Sequence, residues 1–172
     1  MIARDSWKHS APFLLLVGFV LTLCARPTLA QADSASRSVL RGAAVEYRFP
    51  EQVTVTAGKA SNVELHFRVA QGLHINSHTP KEEFLIPTAF AIPNGLGVRL
   101  EAASYPEGKD FTLPTDPGNK LSVYTDEFVI QARIVAAPGN HLVEAKLHFQ
   151  ACNNTACMPP KTIPVAIDVI GK

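Results

Sequence analysis

The chain has 172 residues, and its 16 lysines and arginines against 15 aspartates and glutamates give a formal net charge of +1. This balance, with no block of basic residues, argues against a nucleic-acid partner. The length after an amino-terminal leader suits one domain, which can bury an ordinary core without needing a disulfide to fold.

The amino terminus has the pattern of a secretory signal peptide. Arg4 and Lys8 precede an apolar run over residues 13–25, and small residues follow, with candidate cleavage points after Ala30 and Ala32. A basic start, an apolar run of about 7–15 residues and a small-residue cleavage site define such signals. The run is shorter than the roughly 20 residues of a membrane span, so an uncleaved anchor is the weaker alternative.

Export decides the expected chemistry of the cysteines. We predict a signal peptide over residues 1–30, a flexible lead-in over 31–44 and one domain over 45–172, located in the periplasm or secreted. Membrane contact is expected only through the signal or a partner. Cys24 lies inside the signal, and lipidation there is disfavoured because Leu23 stands where a small residue is expected. The two remaining cysteines would sit in an oxidising compartment, where disulfides persist.

Alternating apolar residues predict β-strands through most of the mature chain. Val63, Leu65, Phe67 and Val69 are apolar at every second position, which is the pattern of a half-buried strand. The same period returns at Val98, Leu100 and Ala102, at Phe128, Ile130, Ala132 and Ile134, at Ala145, Leu147 and Phe149, and at Ile163, Val165, Ile167 and Val169. Turn signals separate these runs. About seven to nine short strands predict an all-β, immunoglobulin-like antiparallel β-sandwich.

One segment departs from this alternation. Residues 105–124 (YPEGKDFTLPTDPGNKLSVY) hold three prolines, two glycines and charges of both signs. A connection this long inside a compact domain is uncommon and often functional. It is either a solvated surface loop or a lid, and Phe111 is an aromatic residue in otherwise polar surroundings.

Cys152 and Cys157 are the chemical centre of the sequence. Four residues separate them, and Pro159 and Pro160 follow. Residues 153–155 (NNT) are turn-forming, so a hairpin can bring the two α-carbons to the roughly 4.4–6.8 Å that a disulfide requires. A loop this short stabilises by only about 2 kcal/mol, against about 4.7 kcal/mol for 100 residues. Two interpretations stay open, a static structural disulfide and a redox-active pair.

A third interpretation is a metal site, because C-x₄-C falls within the range of zinc-ligand spacings. His74, His78 and His148 offer further ligands for a Cys₂His₂ set. In an extended strand, however, His74 and His78 would lie about 13 Å apart, too far to share an ion. Oxidation would also compete for the thiolates. The simpler alternative for each histidine is a solvated or hydrogen-bonded side chain, and we predict no metal and no cofactor.

The stretch QACNNTACMPPKTIPV resembles the redox motif of the family of DsbD amino-terminal periplasmic domains, from the thiol:disulfide interchange protein DsbD. That family carries an aromatic-Gln-x-Cys opening, a second cysteine and Pro-Pro. Here the opening is Phe149, Gln150 and Cys152, followed by Cys157 and the two prolines. GLHINSHTP resembles the strand that faces the cysteines, and ASYPEGKDF with KLSVYTDEFVI resembles a cap loop and the following strand. The similarity spans about residues 45–170.

The resemblance implies a sandwich whose cysteines lie in a hairpin under a movable cap, and dithiol–disulfide exchange with partner proteins. In the family pattern the second cysteine contacts the partner and the first resolves, which assigns these roles to Cys157 and Cys152. Phe111 is the candidate shield by analogy with the family's cap aromatic, with Tyr105 or Tyr124 as alternatives. Such a cap would keep unrelated oxidants and thiols away.

His74 and Asn76 depart from the resemblance, because the best-known member has tyrosines on the strand facing the cysteines. Either residue can hydrogen-bond a sulfur or a water, and a histidine can titrate near neutral pH. Gln150, Pro159 and Pro160 complete the expected near-site support. The alternative for His74 and Asn76 is an ordinary surface strand residue.

The resemblance also implies partners. These are a membrane thiol reductase as electron donor and thioredoxin-fold periplasmic proteins as acceptors, serving disulfide isomerisation or cytochrome c maturation. The full family protein continues with a membrane electron-transfer domain and a thioredoxin-like domain. Neither lies within these 172 residues, so the donor is expected to be a separate protein. The alternative functions are a secreted β-sandwich binding module with a static disulfide and a periplasmic metal-binding protein.

Overall fold

The structure is a computed structural model that describes residues 42–48 and 52–172. The predicted signal peptide, Cys24 and most of the predicted lead-in lie outside the described residues. Within these two ranges the chain forms β-strands and no helix. The described part therefore has no helix of the length and apolarity that a membrane crossing requires.

Twelve strands follow one another along the described chain. They are β1 (Val45–Tyr47), β2 (Gln52–Val55), β3 (Ala60–Val69), β4 (His74–Asn76), β5 (Ala89–Ala91), β6 (Val98–Ser104), β7 (Lys109–Leu113), β8 (Asp116–Tyr124), β9 (Glu127–Ala136), β10 (Gly139–Phe149), β11 (Ala151–Cys152) and β12 (Lys161–Gly171).

The strands form three four-stranded sheets. The first sheet has the order β1-β3-β9-β6, the second β2-β12-β10-β5 and the third β11-β4-β8-β7. Neighbouring strands pair antiparallel, except that β2 and β12 are parallel. Buried residues of all three sheets form one hydrophobic core. The fold is an all-β, immunoglobulin-like sandwich, which confirms the predicted class.

The long strands bury the residues that their alternation predicts. Val63, Leu65, Phe67 and Val69 of β3 are buried; the first three pair with β9, and Val69 pairs with β1. Inward positions of the other long strands are buried in the same way: Phe128, Ile130, Ala132, Ile134, Ala145, Leu147, Phe149, Val165, Ile167 and Val169. Period-two patterning therefore identifies the long strands of the first and second sheets, here called the two large sheets, because these long strands have one covered face.

The predicted pattern fails at one position of β6. Val98 is buried and Leu100 packs against the core, but Ala102 is exposed and Ala103 packs inward instead. The register between β6 and β9 shifts between Leu100 and Ala102. Such a β-bulge adds one residue to the strand and turns the following side chains to the other face.

The chain also has more strands than the predicted seven to nine. Four of them, β1, β4, β5 and β11, span only two or three residues, too few to display a period. Two others, β7 and β8, form a hairpin within residues 105–124, where the sequence predicts a long connection. Pro106 precedes β7, Pro114 lies in the turn, and Pro117 lies where the β7–β8 register is irregular. Prolines are compatible with strands at such positions, where no ladder N–H is needed.

The disulfide region is positioned by a change of sheet at Gln150. Up to Phe149, β10 pairs with β12 and β5 of the second sheet. Ala151 and Cys152 then pair with β4 of the third sheet. Successive residues of a strand point to opposite faces, so Ala151 joins the core while Cys152 points away from it.

Candidate functional site

Cys152 and Cys157 form a disulfide within a tight hairpin. Their α-carbons are 3.9 Å apart, closer than the expected range of about 4.4–6.8 Å, and the two residues form an antiparallel bridge. The turn between them is held by Asn153, whose Oδ1 accepts hydrogen bonds from the backbone N–H groups of Thr155 and Ala156, each at 2.8 Å. Asparagine closes turns in this way because its short side chain reaches backbone groups two or three residues ahead.

The two cysteines differ in exposure. Cys152 is buried, with 2% of its surface exposed, whereas Cys157 is exposed. Pro159 and Pro160, which follow Cys157, are also exposed. Disulfide exchange requires a thiolate to reach one of the two sulfurs. In this hairpin the approach is open on the Cys157 side.

The third sheet is covered on both faces where it meets the disulfide. Ile75 and Ala151 belong to the core, while Cys152 and His74 are directly opposite each other on the other face. His74 and Asn76 are only 2% and 1% exposed. This burial excludes the simpler alternative from the sequence, in which His74 and Asn76 would be ordinary surface residues of a strand.

Phe111 of β7 packs against His74. The two ring centroids are 4.3 Å apart and the ring planes are inclined by 35°. Phe111 is half-buried and belongs to the β7–β8 hairpin, which lies at the edge of the third sheet. Burial lowers the pKa of the His74 imidazole below its usual value, because the charged form loses solvation. The ring next to Cys152 is therefore neutral at neutral pH.

Asn76 and Gln150 connect β4 to the cysteine hairpin. Asn76 Nδ2 donates hydrogen bonds to the backbone oxygen of Ile86 at 3.0 Å and to Oε1 of Gln150 at 3.4 Å. Gln150 Nε2 in turn donates to the backbone oxygen of Met158 at 3.2 Å. Met158 follows Cys157, so this chain of hydrogen bonds fixes the outgoing side of the hairpin.

Tyr105 and Tyr124 lie at the base of the β7–β8 hairpin. The Tyr105 ring stacks on His78 with centroids 3.7 Å apart, and its hydroxyl accepts a hydrogen bond from the Phe90 N–H at 2.8 Å. The Tyr124 hydroxyl accepts from the His78 N–H at 3.0 Å and donates to the Pro106 carbonyl at 2.9 Å. Burial raises the pKa of both phenols. Both tyrosines are thus neutral anchors of the hairpin, whereas the ring that packs on His74, the residue opposite Cys152, is that of Phe111.

Sequence reasoning missed a cluster of small polar residues beneath the hairpin. The Ser77 and Ser122 hydroxyls are 2.8 Å apart, and Thr88 Oγ1 donates to the Asn76 backbone oxygen at 2.6 Å. Gly108 passes so close to both serines that a Cβ at this position would collide with them. No periodic pattern marks these residues, because serine, threonine and glycine are equally common in exposed loops.

An ion pair, also missed, links the β7–β8 hairpin to the segment that follows β4. Lys81 Nζ lies 2.6 Å from Asp110 Oδ1, and Lys120 Nζ lies 3.4 Å from Asp110 Oδ2. The hydrogen bond from Lys81, followed by that from Lys120, holds the pKa of Asp110 below its usual range. Lys81 and Asp110 are 29 residues apart, so no local pattern reveals their contact.

The residues of the metal hypothesis do not assemble into a site. Among the described residues, no group of three or more His, Cys, Asp or Glu side chains is placed to hold an ion. His78 Nδ1 donates to the Thr88 carbonyl at 2.9 Å, and His148 Nδ1 lies 3.0 Å from the Thr162 hydroxyl. The two sulfurs are bonded to each other.

Comparisons with known proteins point to one family. The family model described as thiol:disulfide interchange protein DsbD, N-terminal, matches residues 44–168. Among solved structures, the chain is similar to the DsbD N-terminal domain of Neisseria meningitidis in its reduced form. That similarity has a TM-score of 0.45 and 18% sequence identity, and covers 67% of this chain and 82% of the other. No curated protein matches the chain in sequence.

Proposed function

The chain belongs to the family of N-terminal domains of the thiol:disulfide interchange protein DsbD, and on that premise we propose that Cys152 and Cys157 exchange a disulfide for a dithiol with partner proteins. Electrons enter from a membrane thiol reductase and leave to thioredoxin-fold proteins. The observation that carries this proposal is the difference between the exposed Cys157 and the buried Cys152. One sulfur can meet a partner while the other stays within reach to resolve the complex.

Reduction of the domain begins when a donor thiolate attacks the Cys157 sulfur. A bond forms between the two sulfurs, the Cys152–Cys157 bond breaks, and Cys152 leaves as a thiolate that takes up a proton. The second donor thiolate then attacks the donor sulfur of the mixed disulfide and releases Cys157. The donor is oxidised to a disulfide, and the domain gains the two electrons of a thiol–disulfide couple.

Transfer to the acceptor runs through the same atoms. The Cys157 thiolate attacks the acceptor disulfide, forms a mixed disulfide, and displaces one acceptor sulfur as a thiolate. Cys152 then attacks the Cys157 sulfur and displaces the second acceptor sulfur. The acceptor leaves reduced, and the Cys152–Cys157 disulfide is restored. Because Cys157 accepts the attack in one direction and makes it in the other, it needs the more open position.

The β7–β8 hairpin supports the proposal as a cap. Phe111 contacts His74, which is opposite Cys152, so we assign the shielding role to Phe111. Gln150 and Asn76 hold the cysteine hairpin against β4 and act as supporting residues. A cap that opens towards a docked partner would keep unrelated thiols away from the pair.

The proposed location is the periplasm. The predicted signal peptide over residues 1–30 supports export, and an oxidising compartment is where an exchangeable disulfide persists. We place the acceptors among thioredoxin-fold proteins of disulfide isomerisation or cytochrome c maturation. The support for this choice is the family, whose description is that of a thiol:disulfide interchange protein.

Single-cysteine variants test the proposal in cells that express the full chain. Cys152→Ser keeps the exposed nucleophile and lacks the resolving thiol, so we expect mixed disulfides with thioredoxin-fold partners on non-reducing gels. Cys157→Ser keeps only the buried thiol and should trap far less. Both variants lack the disulfide, so each controls for its loss. A folded Cys152→Ser protein that traps no partner, or equal trapping by both variants, would contradict the proposal.

The reduction potential separates exchange from the static disulfide of a binding module. We expect a value of roughly −120 to −270 mV, the range of exchange proteins, when the oxidised protein is equilibrated with thiol buffers and its free thiols are alkylated. A value below about −300 mV would indicate a bond that resists the glutathione pool and would favour the binding module.

A further inference from the structure

His74 is a buried polar side chain that takes no part in the exchange steps proposed for Cys152 and Cys157. It lies directly opposite Cys152 in the β4–β11 pairing and is 2% exposed. Its ring packs on Phe111. A nearly buried imidazole directly opposite a buried cysteine is placed where it can act on the proton of that thiol.

The chemistry of Cys152 creates a need for a proton carrier at this place. Cys152 leaves as a thiolate during reduction and must become a thiolate again to resolve the acceptor complex. Burial disfavours the charged form of a thiol and restricts the water that would otherwise carry its proton. Exposed Cys157 can exchange protons with solvent, whereas Cys152 cannot do so easily.

The pairing geometry brings the imidazole close enough. Directly opposite residues of an antiparallel pair have Cβ atoms about 4.5–5.5 Å apart, within reach of contact between the side chains of His74 and Cys152. On the same face, β8 contributes Leu121 and Val123, and β7 contributes the exposed cation Lys109 besides Phe111. Three further charged groups near this hairpin pair with one another: Asp110, Lys81 and Lys120.

These surroundings keep His74 in its proton-accepting form. Burial lowers the pKa of its imidazole, because the charged form loses solvation. By the strand register of the described residues, the carboxylate on this face of β4, β7, β8 and β11 is that of Asp116, which pairs with Leu113 at the turn end of the hairpin and not beside His74. At neutral pH the ring is therefore uncharged and can take up a proton.

We propose that His74 is the proton acceptor and donor for Cys152 during exchange, an inference that rests on the proposed function. When Cys152 attacks the Cys157 sulfur, its thiol proton moves to the unprotonated imidazole nitrogen. A new Cys152–Cys157 bond forms, and the acceptor sulfur leaves with the electron pair of the broken bond and takes a proton from water. The imidazolium then releases its proton to water. During reduction of the domain, the departing Cys152 thiolate receives its proton through the same ring.

This role gives the resolving step a distinctive pH dependence. One proton shared between Cys152 and His74 keeps the fraction of thiolate–imidazolium pairs constant over the pH range between their two titrations. A thiol without such a partner behaves differently, since its thiolate fraction rises about tenfold per pH unit below its pKa. A merely structural histidine would not alter this profile.

The reduced protein and dithiobis(nitrobenzoate) allow the step to be timed without a partner protein. Attack by Cys157 releases one coloured thiolate, and resolution by Cys152 releases a second in a phase that does not depend on reagent concentration. We expect His74→Phe, which keeps an aromatic ring under Phe111, to slow the second phase at least about 10-fold at pH 7. The second-phase rate should rise about tenfold from pH 7 to pH 8 in the variant and less than about twofold in the wild type.

Two further variants make the outcome decisive. His148→Phe, the same substitution on β10, should keep the wild-type rate and pH profile. His74→Gln keeps an N–H donor but cannot accept a proton, so it should be slow and pH-dependent like His74→Phe, and it serves if the phenylalanine variant does not fold. Folded His74 variants with wild-type second phases would overturn the inference, as would a steep pH dependence in the wild type. The kinetic experiment contains no partner protein. A negative result for His74 is therefore distinct from a failure of Cys152→Ser to trap a partner, which would concern the proposed function.

Discussion

The two large sheets and the third sheet place their side chains by different rules. In β3, β9, β10 and β12, buried and exposed residues alternate. In β4 all three residues are buried, and both residues of β11 are buried as well. A strand that is covered on both faces retains polar residues only where hydrogen bonds or chemistry require them. The large sheets therefore supply most of the hydrophobic core, and the third sheet carries Cys152 of the disulfide.

The largest expected loss of stability comes from a substitution in the core of the large sheets. Phe67 is fully buried and packs against Phe128 and Tyr47, with ring centroids 5.2 and 5.4 Å away. Phe67→Ala should lower the free energy of unfolding by about 3–5 kcal/mol, because apolar burial is lost and a cavity remains. Chemical denaturation of the oxidised protein measures this loss. Phe84→Ala is the matched control at a residue that is 78% exposed, where the change should stay within about 0.5 kcal/mol.

A smaller effect is expected from the polar network of the third sheet. Asn76→Ala removes the donor to Ile86 and to Gln150 in a site that is 1% exposed. The loss should be about 1–3 kcal/mol, because partly buried acceptors are left unpaired. Asn140→Ala, at an exposed residue of β10, should change stability by less than about 0.5 kcal/mol. Equal losses in the two variants would mean that the Asn76 network does not hold the hairpin.

The difference between the two large sheets and the third sheet also explains which parts of the fold can be predicted from the sequence. The alternation at Val63–Val69 identifies β3 because one face meets the core and the other meets solvent. His74 and Asn76 look like polar positions of a surface strand, yet both are buried, and Phe111 of the β7–β8 hairpin packs on His74. A local sequence pattern shows which residues are polar but not which distant residues pack against them. The burial of β4 could therefore not be predicted from its three residues.

The site was predictable only where its members are neighbours in sequence. The C-x₄-C spacing and residues 153–155 indicate a closed hairpin, and the structure has the Cys152–Cys157 disulfide. Its unequal exposure depends on the change of sheet at Gln150, which no short-range signal marks. The Lys81–Asp110 contact likewise joins segments that only the complete topology brings together.

Phe111→Ala tests whether the Phe111 ring shields the disulfide from reductants. The variant loses the ring that packs on His74, so dithiothreitol should reduce the disulfide several-fold faster than in the wild type. The free energy of unfolding should fall by no more than about 1 kcal/mol, because the ring is only half-buried. Phe84→Ala again serves as the control and should leave the reduction rate unchanged. An unchanged rate in Phe111→Ala would remove the shielding role from this residue.

The smallest expected effect concerns the ion pair that ties the hairpin to the segment after β4. Asp110→Asn keeps the size of the side chain and removes the charge that contacts Lys81 and Lys120. We expect reduction by dithiothreitol to accelerate by less than about twofold, since exposed ion pairs contribute little. The difference should disappear in about 1 M salt, which screens exposed charges. Asp116→Asn makes the same change of charge at an exposed residue of β8 and should have no such salt-dependent effect.

The contribution of the Asp110 ion pairs to stability depends on pH, and the direction of this dependence is definite. Lys81, and then Lys120, lower the pKa of Asp110, so the folded protein binds a proton at this carboxyl more weakly than the unfolded chain does. The stabilisation is therefore complete above the unfolded pKa of about 3.9 and is lost as the pH falls through the lower folded value. The difference in stability between wild type and Asp110→Asn should be constant from about pH 7 to pH 5 and shrink below about pH 4. A difference that grows on acidification would contradict the pairing, because a protonated aspartate and an asparagine carry the same charge.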